Sequence, residues 1–184
     1  MHRIFLTLMV VGNIANVAAF AMGWIIGDPK AIDPVVQSNV STHLTIAIAA
    51  IVAGMLLHAI TLTYFMGTGR WLEETSRAYK LGPDFHAGNQ KLKYRFIPGM
   101  VACIIMLLVT GAFGAAADPA SPIGFTGFLG LPASTIHFGI ATITILLNLM
   151  VNITEYKAIN SNGTIVNNVL AEVRRIRIEK GLPV

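Results

Sequence analysis

Four apolar runs, each of about 20 residues, constrain this chain more than any other feature of its sequence. They cover roughly residues 4–26, 42–66, 96–117 and 134–154. At a rise of about 1.5 Å per residue, each run is long enough to cross the hydrocarbon core of a bilayer as an α-helix. The runs lack the alternating pattern of barrel strands, and a lipid-exposed backbone must satisfy its own hydrogen bonds. We therefore predict an all-α integral membrane four-helix bundle.

The composition agrees with a membrane protein and leaves little room for anything else. Hydrophobic residues make up 54% of the 184 residues and charged residues only 12%, whereas soluble domains carry about a quarter charged residues. The polar segments between the runs are too short to hold a second core, so residues 1–184 are predicted to form a single transmembrane domain. The net charge of +4 comes from residues that flank the runs, which argues against nucleic-acid binding.

The basic residues also predict an orientation. If the runs cross the membrane alternately, only Lys30 of the 13 Lys and Arg residues falls on the side opposite the N-terminus. Cytoplasmic loops carry the excess of Lys and Arg, so this asymmetry predicts that both termini are cytoplasmic. We therefore expect a multi-pass protein located in a bacterial-type inner membrane.

The connecting segments differ between the two sides. The outer ones, residues 27–41 and 118–133, are rich in Gly and Pro and are predicted to cap the bundle without regular helix. The inner loop, residues 67–94, begins with a stretch from Thr68 to Glu74 that is predicted to form a short helix at the membrane surface. Residues 163–180 have the pattern of an amphipathic C-terminal helix, which would lie on anionic lipid or against a neighbouring subunit.

A weak internal repeat links the second and fourth runs. The second begins with Ser41-Thr42-His43 and the fourth with Ser134-Thr135-Ile136-His137, and both would enter from the outer face. Two helical hairpins in the same orientation would be related by a pseudo-twofold axis along the membrane normal, which would place His43 opposite His137. The motif is short and one residue out of step, so a chance match is the alternative.

Ionisable residues inside spanning segments are costly and therefore indicate functional sites. His43 and His137 would lie at the same depth, and neutral imidazole is a strong axial ligand of haem iron in helical bundles. This pattern predicts a six-coordinate haem b, with hydroxyls such as those of Thr42 and Ser134 bonded to the second ring nitrogens. The alternative is that each histidine only caps its helix at the interface.

His58 follows His43 by 15 positions, about 22 Å along a helix and roughly 60° around it. Some membrane cytochromes hold two haems at such a spacing, and Met100 or Met9 would then be the axial ligand opposite His58. The alternative is a buried histidine that hydrogen-bonds to an asparagine, with Asn148 and Asn152 among the candidates. Glu155 is expected to be a boundary charge at the inner mouth of the last run.

These features together predict an electron-transfer subunit that binds haem b near the outer face and exchanges electrons with quinol or a periplasmic partner. No catalytic motif of a hydrolase or a pump is present, so a carrier is favoured over a complete enzyme. The alternative is a haem-free structural protein. In either case we expect a homo-oligomer or a subunit of a larger membrane complex.

Overall fold

The computed structural model describes residues 1–183 and consists of four long helices with one small β-hairpin. The helices are α1 (His2–Ile25), α2 (Pro34–Tyr79), α3 (Asp84–Ala117) and α4 (Ala133–Glu179), and the strands are β1 (Gly127–Phe128) and β2 (Leu131–Pro132). Each helix contains a window that is long and apolar enough to cross a membrane. The prediction of a multi-pass, all-α membrane protein built as a helical bundle is therefore confirmed.

Helix α2 has clear signals at both of its ends. Pro34 occupies the first turn, where its missing N–H costs nothing, and the Asp33 carboxylate accepts the Val35 N–H at 2.7 Å. At the other end Lys80 adopts a left-handed conformation with φ of 54°, and the Leu81 N–H donates to the Ser76 carbonyl at 2.8 Å. The chain then turns sharply, because α3 already begins at Asp84.

The inner loop is consequently much shorter than predicted, and the short surface helix beginning at Thr68 does not exist as a separate element. Those residues continue α2 without a break. Gly67 and Gly69 each weaken a helix by about 1 kcal/mol, but Leu72 and Ser76 beyond them are buried, so tertiary packing holds the segment helical.

The C-terminal segment, residues 163–180, is likewise the end of α4 and not a separate helix. Its apolar face packs on the protein itself: Val169 is fully buried, and Ile165 lies against Gly88 of α3. The Arg177 guanidinium donates to the Tyr79 hydroxyl of α2 at 3.2 Å. Part of this face therefore packs against α2 and α3, while Leu170 and Ile178 stay exposed, and contact of this exposed part with lipid or a neighbouring subunit stays a prediction.

Helices α1 and α2 are antiparallel, and so are α3 and α4. The end of α1 meets the start of α2 where Gly23 lies beside His43, and the end of α3 meets the start of α4 where Gly114 lies beside His137. We call this the hairpin end, since β1 and β2 precede α4 there. The opposite end, where α2 turns into α3 and Arg177 contacts Tyr79, is the basic end.

The apolar core lies toward the basic end. Its buried residues come from all four helices and comprise Phe5, Leu57, Phe65, Phe96, Met100, Ala158 and Ile159. At the hairpin end, β1 pairs antiparallel with β2 through a tight turn in which Leu129 and Gly130 have φ of 50° and 79°. Phe128, Leu129 and Leu131 leave their side chains exposed on this turn.

Candidate functional site

His43 and His137, which the internal repeat predicts to lie opposite each other, are close together at the hairpin end. The ring centroids of His43 and His137 lie 6.3 Å apart, and the ring planes are inclined by 78°. His43 comes from the third turn of α2 and His137 from the second turn of α4, so each projects from a rigid helix and not from a loop. Both rings are half-buried.

The hydrogen-bond partner of His43 Nδ1 determines which ring nitrogen carries the proton. Nδ1 lies 2.9 Å from the backbone carbonyl oxygen of Ala19. A carbonyl can only accept, so Nδ1 carries the proton and donates it, which leaves Nε2 with a free lone pair. Gly23, one turn further along α1, makes the approach possible: a Cβ there would lie 3.0 Å from the ring. Metal-binding histidines are commonly oriented through such a bond to a carbonyl.

The second half of the chain repeats this arrangement on α3 and α4. Gly114 lies against His137, and a Cβ at this glycine would again lie 3.0 Å from the ring. Four residues before it, the Thr110 backbone carbonyl faces His137 as Ala19 faces His43. This carbonyl is outside hydrogen-bonding geometry, so within residues 1–183 Nδ1 of His137 has no partner. The structural repeat thus extends to the glycine and the backbone carbonyl beside each histidine, although only the Ala19 carbonyl forms a hydrogen bond.

A cavity of about 380 Å³ adjoins both rings. Its volume falls within the range of roughly 300–1,000 Å³ typical of small-molecule sites. The walls come from all four helices and are mostly apolar, and many of the side chains are small, among them Ala19, Gly23, Ala47, Ala50, Gly111, Gly114, Ala115 and Ala141. The cavity could therefore admit a flat, largely apolar group beside the two imidazoles.

The hydroxyls expected to orient the histidines do not do so. The Thr42 hydroxyl donates to the Ser38 carbonyl of its own helix at 2.9 Å. The Ser134 side chain has no hydrogen bond to either ring among the described residues, although Ser134 contributes to the cavity wall. Backbone carbonyls on α1 and α3 face the rings instead, a feature that no side-chain pattern could have predicted.

The separation of the two rings can be compared with that of two imidazoles bound to one metal ion. With metal–nitrogen bonds of about 2.0 Å, two imidazoles on opposite sides of an ion have centroids roughly 6 Å apart, which matches the observed separation. The part of the chain that the structure describes contains no group of three or more His, Cys, Asp or Glu side chains that could hold a metal ion. A haem iron takes its equatorial ligands from the macrocycle and needs only two from the protein.

His58 has a different environment. It is fully buried, its Nδ1 lies 2.8 Å from Glu155 Oε1, and its Nε2 lies 3.2 Å from Asn148 Oδ1. Both ring nitrogens are therefore occupied, and the asparagine neighbour that the sequence offered as the alternative is present. Met100 belongs to the apolar core. We therefore do not propose His58 and Met100 as haem ligands.

Glu155 is the functional candidate that the sequence analysis missed. It is fully buried and is not the boundary charge we expected. A signal was present: Asn148, Glu155 and Asn162 recur every seven residues, which places them on one face of α4, two turns apart. This face points into the bundle.

Other polar pairs extend the same buried face in both directions. Toward the hairpin end, the hydroxyls of Thr144 and Thr110 lie 2.7 Å apart. Toward the basic end, Asn89 donates to Asn162 at 2.9 Å, and Asn162 donates to Thr68 at 2.9 Å. Buried polar side chains that bond across helices hold membrane bundles together, and here they form a polar column along α4.

Comparisons with known proteins add no relative: no family model, no curated protein and no solved structure matches the chain. The fold and the site therefore define the class by themselves. The chain is a multi-pass helical membrane protein with a two-histidine cavity at one end and a buried histidine–glutamate pair in its core.

Proposed function

We propose that this protein is a membrane-embedded electron-transfer subunit that binds one haem b at the hairpin end, with His43 and His137 as axial ligands. The observation that carries the proposal is the 6.3 Å separation of the two rings beside a cavity with many small side chains. Neither Nε2 is engaged in a hydrogen bond among residues 1–183, so both are free to coordinate.

Each part of the protein has a defined task in this function. Haem b, held by His43 and His137, would supply a one-electron couple. The Ala19 carbonyl holds His43 in the tautomer whose Nε2 lone pair can bind a metal. The mostly apolar cavity walls would give a large, flat, apolar group an environment of low dielectric constant.

The distribution of Lys and Arg indicates the side of the membrane on which electrons would be exchanged. All Lys and Arg residues except Lys30 lie toward the basic end or on the segments leading to it, so we assign that end and both termini to the cytoplasm of a bacterial-type inner membrane. The histidine pair then lies near the outer face, within reach of a periplasmic redox protein or a membrane quinol. An apolar cleft of about 390 Å³ that includes Phe113 and Ile136, the residues before Gly114 and His137, favours the quinol.

The proposal is tested by purifying the protein in mild detergent from cells supplied with haem and recording its reduced-minus-oxidised visible spectrum. We expect the sharp bands of a low-spin, six-coordinate b-type haem in a ratio of one haem per chain. A featureless spectrum would contradict the proposal and leave a haem-free structural protein as the better account. Assembly into a homo-oligomer or a larger complex stays a prediction, and the mass of the purified particle would test it.

The glycines beside the ligands provide a further prediction. In Gly114→Val, the new side chain would occupy the space now taken by the His137 ring, since a Cβ alone would already lie 3.0 Å from it. We expect haem retention to fall by about tenfold or more, the effect of disturbing groups that orient a ligand. The matched control is Gly139→Val on α4, where a Cβ would meet nothing within 4 Å. Equal retention by the two variants would argue against His137 as a ligand.

A further inference from the structure

The buried pair formed by His58 and Glu155 is not used by the proposed function. It lies about 22 Å from His43 along α2, toward the basic end, and both side chains have no solvent exposure. A carboxyl group in the core of a membrane protein is costly, and such groups usually belong to ion or proton sites.

The hydrogen bonds around His58 show how many protons the pair holds. The Asn148 amide nitrogen donates to the Thr144 carbonyl at 3.0 Å, so its oxygen is the atom that faces His58. That oxygen can only accept, and Nε2 of His58 must therefore carry a proton. The 2.8 Å contact between Nδ1 and Glu155 Oε1 then contains one more proton, which either atom can hold. In both arrangements the pair is neutral overall.

The second carboxylate oxygen of Glu155 is left over. Oε2 is buried and has no hydrogen-bond partner within the described residues, and neither has the buried Oδ1 of Asn152. Asn152 precedes Glu155 by three positions on α4, a spacing that brings side chains together on one helix face. Two buried acceptor oxygens without a donor thus lie on the same stretch of α4, and each such buried group costs about 1–3 kcal/mol.

We propose that Glu155, supported by His58 and Asn152, is a proton-binding site in the membrane core that takes up a second proton on Oε2. The proton would bond Oε2 to the Asn152 oxygen, satisfying both acceptors at once, while the existing proton stays between Nδ1 and Oε1. The balance is simple: one proton enters, no bond between heavy atoms changes, and the cluster gains one positive charge.

The surroundings favour access from the basic end. The Asn162, Asn89 and Thr68 network lies two helical turns beyond Glu155 on that side and is the nearest buried polar cluster there, with Ala158 and Ile159 of the apolar core between. From α3 the Cys103 thiol faces His58, and the titratable groups of α1, His2 and Arg3, contact neither His58 nor Glu155. Among residues 1–183, Glu155 is thus the only buried carboxylate.

The test is an infrared titration of the protein in lipid nanodiscs, following the C=O band of protonated carboxyl groups between about pH 9 and pH 5, where ordinary carboxylates remain ionised. The parent protein should gain such a band as the pH falls, and Glu155→Gln should lack it. Glu172→Gln is the matched control: the Arg175 guanidinium, bonded to the Glu172 carboxylate, lowers the pKa of this exposed group, so the band should persist.

A second variant keeps the test decisive if Glu155→Gln does not fold. Asn152→Leu retains the carboxyl group and its contact with His58 but removes the proposed acceptor, so the band should move to higher wavenumber. A parent protein without a titrating band, or a band that persists in Glu155→Gln, would overturn the proposal. Repeating the titration with sodium replaced by choline separates the two simplest cations. A titration that depends on sodium would assign the site to that ion and refute proton binding.

Discussion

Replacing either histidine of the pair, in His43→Ala or His137→Ala, is expected to abolish the low-spin haem spectrum. Each variant removes one of only two protein ligands, so the remaining histidine could hold at most a five-coordinate, weakly bound haem. Loss of a group that merely orients a ligand costs about 10–100-fold in affinity, and loss of the ligand itself should cost more. The measurement is haem per chain and the reduced-minus-oxidised spectrum of each purified variant.

The matched control for these variants is His86→Ala. His86 lies near the start of α3 at the basic end, where its Nδ1 bonds to the Gly69 carbonyl at 3.0 Å, far from the histidine pair. This variant should keep a full haem complement. Adding imidazole to His137→Ala should restore part of the six-coordinate spectrum, because the free ligand can occupy the space left by the side chain. An unchanged spectrum in either alanine variant would show that the haem, if bound, is held elsewhere.

Glu155→Ala is expected to have the largest effect on stability. The substitution leaves His58 buried with one nitrogen unpaired, and breaking a buried ion pair on one side costs about 3–5 kcal/mol. Membrane insertion itself should be unaffected, because the apolar run of α4 remains intact. The free energy of unfolding can be measured by denaturant titration in mixed micelles.

Two comparison variants separate the pair from a general effect of losing a charge. Glu74→Ala removes one partner of the exposed Arg70–Glu74 pair, whose side chains are 80% and 62% exposed, and should change stability by no more than about 1 kcal/mol. The double replacement His58→Leu with Glu155→Leu removes both polar groups and should be less destabilising than Glu155→Ala alone. If Glu155→Ala lowers the free energy of unfolding no more than Glu74→Ala does, the His58–Glu155 pair does not stabilise the fold.

The distance between the proton site and the haem site allows each proposal to be tested separately. Glu155→Gln should leave the haem spectrum in place, since the histidine pair is about 22 Å away along α2. His137→Ala should leave the carboxyl band in place for the same reason. A failure of one proposal therefore does not remove the other.

The sequence alone determined the membrane architecture, because hydrophobic run length reports directly on the bilayer that solvates the helices. It also predicted the pairing of His43 with His137, since two helices that enter from the same face place residues near their starts at one depth. Gly and Pro marked the hairpin end correctly as non-helical, apart from the early start of α2 at Pro34.

The helix ends at the basic end depended on tertiary packing. Residues 67–79 and 163–179 are polar enough to suggest a loop and a surface helix, but Leu72 and Val169 find buried places between α2, α3 and α4. Local pattern describes what a helix face contains and not what lies against it.

The chemistry of the core was also decided only by the fold. Whether Glu155 faces solvent at the membrane boundary or His58 in the interior depends on how α2 and α4 are rotated about their axes, which many side-chain contacts set together. The carbonyl of Ala19 that orients His43 carries no sequence signal at all, because every residue has one. Hydrophobic run length determined that this chain spans a membrane, whereas the rotation of its helices determined which polar groups meet inside.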